Sequence, residues 1–205
     1  MKTRILLIVS LMTLLASVTQ ASQQELATSI KDTRIEADQS RKQLATTLSA
    51  LTALTKQQKG DLRPAYDAFA AEVPKTEAAA AATRARVASM QGEGMKYFDD
   101  WQKTITGIND ESLRKKSQQR LDAVKKSYAK TIDEFKDAAD LFKPFLADLG
   151  DIEKVLSTDL TSRGVKSVSS NVNSANSDYK KLDRTMNDAL EEMQKMEKEL
   201  SPEAN

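Results

Sequence analysis

The sequence predicts an all-α protein: an elongated antiparallel helical bundle or coiled coil of about four long helices, kinked near Pro74 and Pro144. Three observations predict it. Charged residues make up 30% of the chain and aromatics only 5%, with 6 glycines and 4 prolines, a balance that belongs to long helices rather than to a compact mixed fold. Apolar residues recur at alternating steps of three and four over long stretches, the period of one helix face. The breaks in that period fall at short Gly- and Asp-bearing segments, which have the chemistry of helix ends.

The first element reads as a cleaved export signal, residues 1–21. Lys2 and Arg4 form a short basic region, Ile5 to Val18 is an apolar run interrupted only by Ser10, Thr13 and Ser17, and Thr19-Gln20-Ala21 is a small-x-small cleavage site. The run is short for a membrane span. Cleavage after Ala21 leaves residues 22–205 as a single helical coiled-coil domain, with 29 basic and 30 acidic residues once Lys2 and Arg4 are gone. That near-neutral balance gives no global reason to bind nucleic acid. The location expected is the periplasm, as an exported, soluble protein. Cysteine is absent, so no lipid anchor of the bacterial lipoprotein kind is expected.

A first helix is expected from Gln23 to about Gln58, with Leu26, Ile30, Thr33, Ala37, Ser40, Leu44, Thr47, Leu51 and Leu54 on one face. Several of these are small or polar, which predicts a weak seam. Lys59-Gly60-Asp61 should end it, Gly60 at the residue past the helix and Asp61 capping the next one. A second helix runs from about Leu62 to Ile108. Pro64 is tolerated in its first turn, whereas Pro74 should kink or split it. Its seam is Val87, Met90, Gly94, Phe98, Trp101, Ile105 and Ile108, weakened by Gly92 and Gly94 at about 1 kcal/mol each relative to Ala.

After a turn at Gly107–Asp110, capped by Asn109 or Asp110, a third helix keeps Leu113, Ser117, Leu121, Val124, Tyr128, Ile132, Phe135, Ala139, Phe142, Phe145, Leu149, Ile152 and Leu156 on one face. Pro144 should bend it near residues 139–141. Thr161–Gly164 reads as the last turn. The fourth helix carries an unbroken stripe: Val165, Val168, Val172, Ala175, Tyr179, Leu182, Met186, Ala189, Met193, Met196 and Leu200.

Charge order says what the stripe faces. From Arg114 to Lys130 there are seven basic residues and one acid, and from Asp133 to Glu153 the balance reverses. If the fourth helix folds back, its acidic Glu191–Glu199 end flanks Lys125, Lys126 and Lys130. Its Lys180, Lys181 and Arg184 then flank Asp137 and Asp140. Such flanking charges choose orientation more than they stabilise. Leu182 is expected near Phe142 and Phe145.

The segment "SLRKKSQQRLDAVKKSYAKTIDEFKDAADLFKPFLADLGDIEKVLSTDLTSRGVKSV" resembles the bacterial domain of unknown function 2959, a family of exported coiled-coil proteins of Gram-negative bacteria. Ser112, Leu113, Arg114, Ser117, Leu121 and Tyr128 match its helix opening. Pro144, Leu146, Leu149, Asp151, Leu156, Leu160, Arg163 and Ser167 match its proline-and-turn segment, and Trp101 also has a counterpart. The resemblance is best over residues 98–170. Many members carry a lipoprotein cysteine, where this chain has Ala21-Ser22. The resemblance implies the fold and export, and no activity.

No enzyme is expected. Without His or Cys the usual nucleophile–base pairs and soft metal sites are missing. Asp99-Asp100 and Glu191-Glu192 are adjacent on helices, point about 100° apart and do not converge. No catalytic, cofactor-binding or metal residue is assigned, and no cofactor. The one candidate surface is the basic cluster Arg114, Lys115, Lys116, Arg120, Lys125, Lys126 and Lys130. It reads first as a solvated face and second as a contact for anionic lipid or lipopolysaccharide headgroups. No aromatics interleave with it on the exposed arc, which argues against nucleic acid. The functional expectation is a structural or interaction protein of the cell envelope with protein partners, a homo-oligomer left open. The alternative is a holdase-like periplasmic chaperone that grips clients between helical arms, with Met186, Met193 and Met196 as an adaptable surface.

Overall fold

The computed structural model describes residues 2–57 and 60–200, and the side chains of 20–57 and 60–200. The signal-peptide reading falls mostly outside the described side chains, and Lys59 of the first turn outside the described residues. Five helices follow in order: α1 Lys2–Lys56, α2 Arg63–Thr106, α3 Glu111–Thr158, α4 Ser162–Ser167 and α5 Ser169–Leu200.

The chain packs into two compact units. The first is Met1–Arg34, Arg86–Ile132 and Glu191–Asn205; the second is Ile35–Ala85 and Asp133–Leu190. Each takes a segment from all four long helices.

In the first unit, Lys96 of α2 pairs with Glu25 of α1. The Tyr128 hydroxyl of α3 donates to the Met90 carbonyl of α2 at 2.7 Å. Lys130 of α3 lies 3.2 Å from Glu192 of α5. Arg34 of α1 pairs with Glu197 of α5, and Gln23 Nε2 donates to the Leu200 carbonyl at 2.8 Å. The ring of four antiparallel neighbours therefore closes, α5 returning to α1. Leu26, Ile30, Met90 and Leu121 are fully buried inside it.

In the second unit the same order recurs. Ser40 of α1 meets Thr83 of α2, Tyr66 of α2 reaches the Glu153 carbonyl of α3, Asn171 of α5 donates to Asp148 of α3, and Arg41 of α1 pairs with Asp183 of α5. Its core holds Leu51, Leu54, Phe69, Phe145, Leu149, Ile152, Leu156 and Leu182. Burial of such side chains stabilises by about 1.5–3 kcal/mol each.

The polar positions of α1 are not a weakness in the seam. Thr33, Ser40 and Thr47 are buried at seven-residue spacing. In the second unit Ser40 Oγ donates to the Ala79 carbonyl at 2.8 Å, and its oxygen lies 2.7 Å from Thr83 Oγ1. Thr47 Oγ1 lies 2.6 Å from Thr76 Oγ1. In the first unit Thr33 Oγ1 donates to the Ser29 carbonyl at 2.7 Å and lies 3.3 Å from the Arg86 carbonyl. Small side chains let the α1 and α2 backbones approach, and the hydroxyls bond across the gap.

The expected helix ends form with one shift. Gly60 has φ +94°, the left-handed conformation that glycine adopts without strain, and the Asp61 carboxylate accepts from the Arg63 N–H at 2.9 Å. Asp110, rather than Asn109, caps α3: its carboxylate accepts from the Leu113 N–H at 2.8 Å. Neither Pro74 nor Pro144 splits its helix. Both lie on exposed faces, where water can bond the carbonyl that each proline leaves without a donor.

The last reversal sits earlier than residues 161–164. Thr161 is already the cap of α4, accepting from the Gly164 N–H at 3.1 Å. Gly164 is needed for space, because a Cβ there would lie 2.0 Å from the Asp159 carbonyl oxygen. The expected fourth helix is also two, interrupted at Val168 (φ −90°, ψ 3°).

The stripe of α5 is buried within its own chain. Ala175, Leu182, Met186, Ala189, Met193, Met196 and Leu200 are all buried, and Tyr179 faces Phe145 at 6.5 Å between ring centroids. The antiparallel register then sets Leu182 level with Phe142, one turn further along. The α2 seam also begins earlier than Val87, with Tyr66, Phe69, Val73, Thr76 and Thr83 buried.

Candidate functional site

All seven residues of the basic cluster lie on α3 within the first unit. The segment that carries them is fixed at its start by the Asp110 cap, by two contacts to α2 and by one to the turn that follows α2. Trp101 Nε1 donates to Ser117 Oγ at 3.2 Å, Gln102 and Gln118 pair through their amides at 3.0 Å, and Arg114 reaches the Ile108 carbonyl at 3.4 Å. Behind the segment stands an aromatic cluster. Tyr97 lies 5.4 Å from Phe98 and 5.5 Å from Trp101, and Phe98 meets Tyr128 edge-on at 5.3 Å. Burial pushes the Tyr97 hydroxyl up to about 12, opposed by the Arg120 charge beside it. Burial alone raises Tyr128 further.

The seven cations divide by environment. Lys130 is held by Glu192 of α5, the cross-helix pair that the charge order predicts. Lys125 is half-buried, its ammonium 5.7 Å from the centre of the Phe98 ring, a cation–π contact. Arg114, Lys115, Lys116, Arg120 and Lys126 are exposed. Asp122, the acid among them, accepts from Gln118 at 3.0 Å.

One seam expectation fails around this surface. Leu113 is 58% exposed, not part of the α3 seam. It sits on the first turn of α3, where the capped turn begins and the buried stripe has not yet started. In the other half of the charge order, Lys181 pairs with Asp178 and Asp140 with Lys143, each three residues along its own helix. Residues three apart on one helix are neighbours, so these charges find partners without crossing a seam. The cross-helix pairs Arg34–Glu197 and Arg41–Asp183 were missed. They depend on α5 meeting α1, which no local pattern announces.

The acid pairs do not converge. Asp100 is engaged by Lys103, and Glu192 by both Lys195 and Lys130. Lys195, and after it Lys130, hold the Glu192 carboxyl below its usual range. Among the described residues no cluster of three or more carboxylates is placed to hold a metal ion, and no helix is long and apolar enough to cross a membrane.

The sequence pattern of a family described as "Protein of unknown function (DUF2959)" matches residues 14–200. The chain belongs to that family. Within it, the matched span takes in the hairpin of α2 and α3, the basic segment and the whole of α5. No curated protein matches the chain.

Proposed function

We propose that this family member is a non-enzymatic structural or interaction protein of the bacterial envelope, working in the periplasm. One observation carries the reading: the apolar stripes are used up inside the two units, while the first turns of α3 keep Leu113 and five cations exposed. Such a surface supports a binding role. The basic, apolar, small-x-small order of residues 1–21 supports export. Met186, Met193 and Met196 are buried in the α5 seam, so the holdase alternative has no support from them.

The test is fractionation by osmotic shock with intact-mass measurement of the protein released. The expected species is periplasmic and begins at Ser22. Recovery in the cytoplasm, or an exported form that keeps Met1, overturns the reading.

A further inference from the structure

We propose that the first turns of α3 dock peripherally on an anionic phospholipid bilayer, Leu113 entering the headgroup boundary while Lys115, Lys116, Arg120 and Lys126 face the lipid phosphates. The inference rests on the envelope reading and names the partner of its surface. At 100° per residue the four cations fall within an arc of about 140° that avoids Leu121, Val124 and Tyr128, and Leu113 sits at the edge of that arc, about 20° from Val124, exposed because the seam has not yet begun at the first turn. The acids of the segment, Glu111 and Asp122, lie beyond the arc's other edge. An exposed leucine amid lysine and arginine is the pattern of helices that lie in a membrane interface: cations are drawn by the surface potential and an apolar side chain gains burial.

The arc also stands on a firm base. The Asp110 cap, the Trp101–Ser117 bond and the Gln102–Gln118 pair hold the first turns of α3 against α2, so docking costs little ordering of the chain. Lys125 and Lys130 are already engaged by Phe98 and Glu192 and are left out of the docking set.

Co-sedimentation tests this with the protein purified in the form cells accumulate. The probes are vesicles of phosphatidylethanolamine with phosphatidylglycerol, and of phosphatidylethanolamine with phosphatidylcholine. Binding should be confined to the phosphatidylglycerol vesicles and should weaken as salt shortens the Debye length. Each cation near such a surface is worth about fivefold, so K115S/K116S/R120S should lower partitioning tenfold or more. L113S should lower it several-fold without changing the salt dependence. The control K136S/K143S/K154S removes the same charge from the second unit and should bind as the wild type does. Circular dichroism checks that each variant keeps its helicity, and L113S decides should the triple variant not. Equal binding to both vesicles, equal loss in both triple variants, or no binding at low salt overturns the proposal. If a processed periplasmic protein does not bind, only the docking surface is lost. A cytoplasmic protein removes the envelope reading whatever the vesicles show.

Discussion

Tyr128 of α3 sets its ring against the bare Cα of Gly94 on α2 and donates its hydroxyl to the Met90 carbonyl 2.7 Å away. Met90 lies four residues before Gly94, so the tyrosine shares a carbonyl that α2 already uses for its own ladder. A Cβ on Gly94 would lie 2.6 Å from the end of the ring, which is held edge-on by Phe98. Gly94 is therefore a seat for Tyr128. Gly92, two residues earlier and about 200° around the helix, has nothing within 4 Å of a Cβ.

The two glycines should respond oppositely. Gly92→Ala should stabilise by about 0.5–1 kcal/mol through helix propensity. Gly94→Ala gains the same propensity but overpacks a fixed ring, at about 1–3 kcal/mol, and should be destabilising overall. Tyr128→Phe, which keeps the ring and loses the bond, should cost about 0.5–1.5 kcal/mol. Urea unfolding of the three variants checks this; equal gains from both alanines would mean that the ring yields.

The hydroxyl pair Thr47–Thr76 makes a second case. Thr47→Val leaves the Thr76 hydroxyl buried without its cross-helix partner, which should cost about 1–3 kcal/mol. Thr47→Val with Thr76→Val replaces both by apolar groups of the same shape and should recover much of that loss. A double-mutant cycle measures the coupling, and strictly additive losses would mean that the hydroxyls do not depend on each other.

Leu182 tests whether the α5 stripe faces its own chain. Leu182→Ala should cost about 2–5 kcal/mol. Lys181→Ala, which removes only an exposed pair with Asp178, should change stability by no more than about 0.5 kcal/mol. Unfolding is followed at several protein concentrations. A penalty that fades on dilution, together with the wild-type stability, would assign the stripe to a second copy.

Stability should fall from about pH 10 upward. Tyr97 titrates near 12 in the folded protein, and Tyr128 is raised in the same direction. Unfolded tyrosines lose their protons near 10. Above that pH the unfolded chain binds fewer protons than the folded one, so stability declines with a slope approaching one proton per buried tyrosine. In acid the sign reverses. The Glu192 and Asp38 carboxyls are lowered by their lysine partners, Lys195 and Lys42 foremost, and their contribution disappears as pH falls through those lowered values. Tyrosinate absorbance and urea midpoints across the alkaline range check the first limb. Four tyrosines ionising together near 10 in folded protein would contradict it.

Much of this fold was legible in the sequence. The alternating three-and-four spacing located the buried face of α5 from Val172 to Leu200, and the Gly60-Asp61 and Asp110 chemistry located two of the turns. Lys130–Glu192 followed from charge order. What the sequence hid was tertiary. Thr33, Ser40 and Thr47 look like a poor seam until α2 carbonyls and hydroxyls stand opposite them. Gly164 looks like a turn residue until the Asp159 carbonyl is seen against it. The exposure of Leu113 depends on where packing begins, which periodicity does not encode. For the candidate surface, composition found the cations, but only the structure set Lys125 against the Phe98 ring and Lys130 against Glu192.

Site-specific photo-crosslinking in intact cells tests the central claim most directly, that the first turns of α3 are the working surface of an envelope protein. A photoreactive residue is placed at position 113, and at Lys154 in the second unit as a control. Adducts to an envelope component should form from position 113 and be lost on K115S/K116S/R120S, with none from position 154. Adducts equally abundant from both positions, or only to cytoplasmic proteins, would contradict the account.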